Sequence, residues 1–553
     1  MSHINGKPRG QILMPRSIDE YVEPHSPVRV IDAFVETLDM KALGFSKAAP
    51  ALTGRPAYAP ADLLKLYIYG YMNKIRSSRR LMTECRRNIE VMFLLNELTP
   101  DFRTISDFRK DNPEPIREVF REFVRFCDDA GLYKKELIAI DGTKVRAQNS
   151  NDKCFNKDIL LKKVERIDAH IEEYIGALNR NDESGEDDDE EDDQRNNPEE
   201  IEAALESLSV RREKYMGYLD HLENSSDTQI LETDPEAHRM HTRNGFHCCY
   251  NVQTATDTKS HLICEYDVTG RNSDAGQMTG LAKSAKQILE AKRLEVVADK
   301  GYESKTDILS AIMNGILPNV ALKYDNEERL FNISYEQANI TEKERASTDP
   351  EDIRKCLHAG VLPHCLEGGP LSIEVQTAAG IACFTRLDED RVLCPMNKTL
   401  MKLKRRHGRT TIFRSREACR ACDNRCTASA NAKEVSFFDG AKYVPVRMYG
   451  PKKPVNTLPS DAIIHHNSRV LHRKWAKDKV LIRLTCDDAK VHERMCTSEH
   501  PFGSVKWYGD AGYVLCRGKR KVSAEIGLSF LGYNIKRAIK MVGTEELLMK
   551  MGV

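Results

Sequence analysis

A chain of 553 residues with 40% apolar and 30% charged side chains has the make-up of a folded protein of roughly three or four domains. No stretch approaches the ~18 uncharged apolar residues of a membrane span, and the N-terminus lacks a signal-peptide apolar core. These features argue against membrane insertion and export, and sixteen cysteines without such a signal suit a reducing cytoplasm. The formal net charge is zero, but residues 181–200 hold twelve acids and one arginine, a balance of −11. The remainder therefore carries +11, an excess that suits a phosphate-rich partner.

Residues 1–130 read as an all-α domain. Ala61–Met72 has apolar residues at helical spacing, and 103–110 is a further short helix. Lys74–Arg87 carries six basic residues, among them Arg79, Arg80, Arg86 and Arg87. Such a helix either contacts DNA phosphates or is simply a solvated face of a bundle.

An apolar run, Leu137–Ile140, ends in Asp141 and reads as a buried strand opening a second domain at about residue 135. Heptad-spaced residues then recur at Leu160, Val164, Ile167, Ile171, Tyr174 and Leu178, and again from Ile201 to Leu222. They predict an antiparallel helical hairpin over 156–225 with the acidic loop 181–200 at its tip. A structural arm is the simplest role for it; a dimer contact or DNA mimicry by the acids are alternatives. Strands are predicted at 250–257 and 261–268, then a helix capped by Asp274 and running to Ile288. The run Leu294–Ala298 is a strand ending in Asp299, followed by a helix over 304–314 and a strand over 316–322. This alternation gives an α/β core over 135–322. Residues 323–475 are too long for a crossover and are expected to be an insertion with strands. The core resumes over 476–553, with helices at about 486–510, bearing Glu499, and 523–541.

Within the insertion, Cys419, Cys422 and Cys426 follow a Cys-x2-Cys-x3-Cys pattern, with Cys394 upstream and Cys383 nearby. Four thiolates at such positions hold a tetrahedral structural zinc; the other reading is four reduced cysteines in a small module. Lys404, Arg405 and Arg406 crowd the same region and could grip a DNA backbone.

Two strand-tip aspartates and a late glutamate are a donor set for two divalent cations in phosphodiester cleavage. With Asp-Gly-Thr-Lys-Val-Arg-Ala at 141–147, Tyr250-Asn-Val-Gln253, Ala-Asp-Lys-Gly-Tyr at 298–302, the cysteines at 419–426 and Glu499-His-Pro-Phe-Gly503 before Lys506, the chain resembles bacterial insertion-sequence transposases of the DDE type. The resemblance implies an RNase H-like α/β catalytic core, interrupted by the helical hairpin and the Cys-rich insertion and preceded by an all-α DNA-binding domain. It implies Asp141, Asp299 and Glu499 as catalytic ligands of two Mg²⁺ (or Mn²⁺) ions. Lys506, and less directly Arg494, would be DNA contacts. It also implies double-stranded DNA partners (the element's terminal repeats and a target), a homodimer in the DNA complex, and a nucleoid-associated location. The family often shows Tyr-x2-Arg-x3-Glu-x6-Lys. Here Glu499 and Lys506 fit, Met495 stands at the arginine position with Arg494 one residue away, and Val491 rather than a tyrosine lies further up. A regulator derived from a transposase, or a metal-dependent nuclease without strand transfer, would share much of this pattern.

Overall fold

The computed structural model describes residues 17–49, 56–183, 198–321, 328–376, 383–407, 410–422, 431–438, 443–445, 447–449, 454–456 and 479–553. Contacts divide the chain into two compact units. The first comprises Met1–Lys134, Asp141–Asp274 and Cys496–Val553; the second comprises Lys135–Ile140 and Ala275–Met495. No helix among the described residues is long and apolar enough to cross a membrane.

The first unit opens with short helices whose ends are written in the sequence. Pro27, Pro60 and Pro113 each start a helix where a missing N–H costs nothing. Asp101 caps the helix Phe102–Asp111 by accepting from the Arg103 and Thr104 amides. Helix α1 (Ser78–Arg87) buries Leu81, Glu84 and Cys85 and turns its four arginines outward. Helix α2 (Pro113–Asp129) carries the core onward. Phe34 meets Phe123 edge to face, Phe120 meets Tyr266, and Tyr266 meets Phe530, with ring centroids 5.0–5.3 Å apart. The N-terminal helices therefore share one core with the strand and helix that hold Tyr266 and Phe530.

In this unit the outer half of strand β1 (Leu137–Arg146) lies beside β3 (Gly245–Asp257). Strand β3 also pairs antiparallel with β2 (His238–Thr242) and with β4 (Ile263–Thr269). The helical hairpin comprises α3 (Lys157–Glu183) and α4 (Pro198–Asn224). It is closed at its base by Phe155, Leu160, Val164 and Leu219, and laced by Lys157–Glu223 and Arg212–Asp168 pairs at 2.8 and 2.6 Å. The helices thus occupy both ends of the run predicted as loop. Residues 184–197, the rest of the acidic run, lie outside the described residues.

Helix α5 (Asp488–Gly503) is shorter than the sequence suggests. Pro501 sits inside it, and the chain continues as one π-helical turn over Ser504–Tyr508. A proline removes one helical donor and crowds the preceding turn, which favours local rewinding. Helix α6 (Lys519–Val542) is bounded by Gly518 at φ 81° and Gly543 at φ 88°, conformations that glycine adopts freely.

In the second unit, Leu137–Ile140 of β1 pairs parallel with β5 (Leu294–Ala298), and β5 pairs parallel with β6 (Ile316–Val320). Strands covered on both faces read as continuous apolar runs. The one charged residue of β5, buried Glu295, is met by Lys490 at 2.7 Å. The helix expected from Asp274 instead begins at Met278, without a side-chain cap, because Asp274 is engaged elsewhere. Lys479–Thr485 is the central strand of an antiparallel sheet between Glu328–Ser334 and Leu371–Gln376. A six-stranded sheet of short strands follows Cys383, its core formed by Phe384, Val392, Leu400, Phe413, Val435 and Phe437.

Candidate active site

Asp141 stands where β1 leaves the second unit and enters the first. Its carboxylate accepts the Gly142 amide at 2.8 Å. Gly142 is fixed by crowding: a Cβ there would collide with the Gln253 side-chain amide and lie 2.8 Å from the Asp274 carboxylate. That carboxylate oxygen receives the side-chain amides of both Asn251 and Gln253 at 2.7 Å. Asn251 and Gln253 alternate on β3 and so share one face. An acid that sequence reasoning placed as a helix cap is thus pinned beside Gly142, and the Asn-x-Gln spacing is the signal that could have shown it.

One cavity of the first unit, about 870 Å³, is lined by Asp141 and Glu499 together with Lys144, Arg146, Arg243 and Lys506. Glu499 itself is exposed. On α5 and the π turn, Glu499, Phe502, Gly503, Lys506 and Trp507 all line this cavity, at spacings that keep them on one face. The Lys506 ammonium donates to the Lys144 carbonyl at 2.8 Å. Burial lowers its pKa from the usual lysine value; the Cys249 thiol opposes this and Arg243 adds to it. Lys144 in turn donates to the His241 carbonyl at 2.8 Å. Trp507 is 82% exposed on the rim.

The wall of the cavity is fixed from behind. Arg146 exchanges backbone hydrogen bonds with Gly512 and Val514 at 3.0 and 2.9 Å. Fully buried Glu525 accepts the Leu515 and Cys516 amides at 2.9 and 2.8 Å and the Arg76 guanidinium at 2.6 Å. Arg76 also donates to the carbonyls of Asp510 and Tyr513. Burial works to raise the Glu525 pKa, but Arg109, Arg76 and the backbone amides outweigh it and hold the group below its ordinary value.

In the second unit Ile140 pairs with Ala298, and the residue after each is an aspartate, Asp141 and Asp299. The Asp299 side chain accepts the Gly301 amide at 2.7 Å and caps a short 3₁₀ turn. Glu493 and Arg494, on the α5 segment of this unit, are half-buried.

The chain matches a family model described as a transposase domain over residues 16–111 and another described as a transposase DDE domain over 215–358. Both matches support a DNA transposase of the DDE type. No curated protein sequence matches it. Among solved structures, a chain of the cryo-EM piggyBac transposase synaptic complex with hairpin DNA is similar at 8% identity, over 95% of this chain and 79% of that one. The TM-score is 0.27. The DDE match contains Asp299 and leaves Asp141 and Glu499 outside.

Elsewhere in the transposase, Arg79, Arg80, Arg86 and Arg87 are all exposed on α1. Arg79 stacks over Phe102 at 4.4 Å, and Arg87 is tied to Glu84. Lys404, Arg405 and Arg406 lie on the strand Thr399–His407, but their side chains lie outside the described residues. Cys394, Cys419 and Cys422 are half-buried, and the Cys394 sulfur accepts the Lys398 amide at 3.3 Å. Cys426 lies outside the described residues. Among the described residues, no three His, Cys, Asp or Glu side chains are grouped to hold a metal ion.

Proposed function

We propose that this transposase cleaves the ends of its own insertion element and joins them to target DNA, with Asp141, Asp299 and Glu499 as the catalytic acids of an RNase H-like core. The observation that carries the reading is the cavity of the first unit, where Asp141 and Glu499, distant in sequence, meet four cationic side chains. Carboxylate oxygens beside cations suit a metal-assisted reaction on a phosphodiester.

The donor set is oxygen only, as Mg²⁺ or Mn²⁺ prefers, and the three acids would hold two such ions. When bound, the ions supply Lewis acidity at the phosphate and favour deprotonation of the attacking hydroxyl. The chain's residues do the rest. Lys144, Arg146 and Arg243 place positive charge along the cavity for the non-bridging oxygens, and Lys506 adds a point cation steadied by the Lys144 carbonyl. In the first displacement a water oxygen bonds to phosphorus at the element's end and the 3′-oxygen leaves, taking a proton. In the second, the freed 3′-hydroxyl bonds to a target phosphorus, gives up its proton and expels a target 3′-oxygen, which takes up a proton.

Arg79, Arg80, Arg86 and Arg87 would hold the terminal repeat, with Arg494, Lys404, Arg405 and Arg406 as further backbone contacts. Two ends in one complex call for a homodimer. Cys394, Cys419, Cys422 and Cys426 would hold a structural zinc, supported by their spacing and by the amide that already meets the Cys394 sulfur.

A labelled DNA end bearing the element's own terminal repeat, incubated with the protein and Mg²⁺, tests the reading. Cleavage followed by joining supports it. Cleavage alone would leave a nuclease, and binding alone a regulator.

A further inference from the structure

The face of α5 and its π turn that turns away from Glu499 borders a second cavity of the first unit. Its volume is about 260 Å³, and it is lined by His500, Ser504, Val505 and Gly509 on one side, by Ser529, Gly532, Tyr533, Lys536, Arg537 and Lys540 of α6 on the other, and by Tyr71 and Met72 from the N-terminal helices. Positions 529, 532, 533, 536 and 540 fall at three- and four-residue steps, so they form one stripe of that helix. Gly532 leaves space between the charges, and Tyr71, Met72 and Val505 give the hollow an apolar wall. It is smaller than the ~300 Å³ at which pockets for drug-sized ligands begin.

The charge in this hollow has one sign. Three cations line it and no carboxylate does. Among the described residues no acid pairs with Lys536, Arg537 or Lys540. Two of the three are steadied by backbone oxygen: Lys536 donates to the Met72 carbonyl, and Arg537 to the Ser260 carbonyl at 2.8 Å. Burial lowers the Lys536 pKa from its usual value, and the neighbouring Lys74 lowers it further. Lys540 is exposed at the mouth. Like charges gathered without an acid cost free energy until an anion joins them, and the Ser504 hydroxyl adds a donor of the kind that meets phosphate oxygens, whereas the Ser529 hydroxyl is taken up by the Glu525 carbonyl.

We propose that this hollow binds a phosphodiester of the DNA backbone, a second anchor on the helix that carries Glu499. Glu499, Phe502, Gly503, Lys506 and Trp507 line one cavity, while His500, Ser504, Val505 and Gly509 line the other. A strand held in the second cavity would therefore grip the opposite face of the element that presents the acid. The inference rests on the transposase reading for the identity of the polyanion, and its test does not need catalysis.

The test is non-specific binding of the full chain to a short duplex across a salt series, with Lys540→Gln and Lys540→Arg beside the native protein. One phosphate contact contributes about 0.9 to the slope of log affinity against log salt. The Lys540→Gln slope should be shallower by about that amount, and Lys540→Arg should keep the native slope. An unchanged slope in Lys540→Gln overturns the proposal, and so does an equal loss in Lys540→Arg, because the charge would then not be what binds. Inorganic phosphate in place of chloride, at constant ionic strength, separates the sources. Phosphate that raises the native melting temperature while Lys540→Gln leaves the DNA slope untouched would mark a free-phosphate site and overturn the DNA assignment. If the slopes behave as expected and no labelled end is ever cut, the hollow stands and the catalytic reading falls.

Discussion

Replacing Glu525 by glutamine should destabilise the first unit more than any single surface change. The Glu525 carboxylate is fully buried, accepts the Leu515 and Cys516 amides, and meets Arg76 at 2.6 Å, with Arg109 at 3.9 Å. Glutamine preserves the shape but leaves two nearly buried guanidinium groups without a counter-charge. Removing one partner of a buried ion pair costs about 3–5 kcal/mol. At roughly 1.5 °C per kcal/mol for a unit of well over 250 residues, the melting temperature should fall by about 4–8 °C. The pH dependence has a definite sign. The folded pKa of Glu525 lies below its unfolded value, so the stabilisation is fully present above the unfolded carboxylate pKa and is lost as pH falls through the folded one. The gap between native and Glu525→Gln melting temperatures should therefore be widest near neutrality and close in acid. Thermal melts followed by circular dichroism over a pH series measure it. A gap under about 2 °C at neutral pH, or one that widens in acid, would refute the argument.

Three further outcomes follow from particular contacts. Gly142→Ala should cost about 1–3 kcal/mol through overpacking, since its Cβ meets Gln253 and Asp274; a denaturant titration showing no loss would remove the crowding argument. Deleting residues 184–197 should leave the melting temperature nearly unchanged, because the Phe155–Leu219 base and the Arg212–Asp168 pair hold the hairpin without them. Loss of that acidic stretch should tighten non-specific DNA binding, and a large fall in melting temperature would show that it packs. Elemental analysis should find about one zinc per chain, with Cys419→Ser plus Cys422→Ser lowering both zinc content and stability; zinc-free, fully stable protein would end that assignment.

How much the sequence could show depended on how local the determining contacts were. Leu137–Ile140 and Leu294–Ala298 were legible because a strand buried on both faces leaves an unbroken apolar run. The hairpin was legible because its seam repeats within each helix. The role of Asp274 was not, because Asp-before-helix is an ordinary cap pattern, and only the pairing of β3 with its neighbours brings Asn251 and Gln253 to it. By sequence Glu525 is one more polar residue of a long helix, because its partners Arg76 and Arg109 lie at the far end of the chain. The sheet joining Glu328–Ser334 to Lys479–Thr485 was hidden for the same reason. Pro501 did carry a warning that the helix bearing Glu499 would not run straight to Lys506. The two still line one cavity, because the π turn rewinds the chain between them.

The most direct test of the central claim compares two glutamates on one helix. Glu499 lines the cavity with Asp141, and Glu493 lies six residues earlier on another face. Cleavage of a labelled terminal-repeat end should be measured with Mg²⁺ for Glu499→Gln, Glu493→Gln and Asp141→Asn, each checked for DNA binding. Glu499→Gln and Asp141→Asn should abolish cleavage while binding stays within a few-fold, and Glu493→Gln should keep most of the activity. Full cleavage by Glu499→Gln, or loss confined to Glu493→Gln, would contradict the assignment of the site.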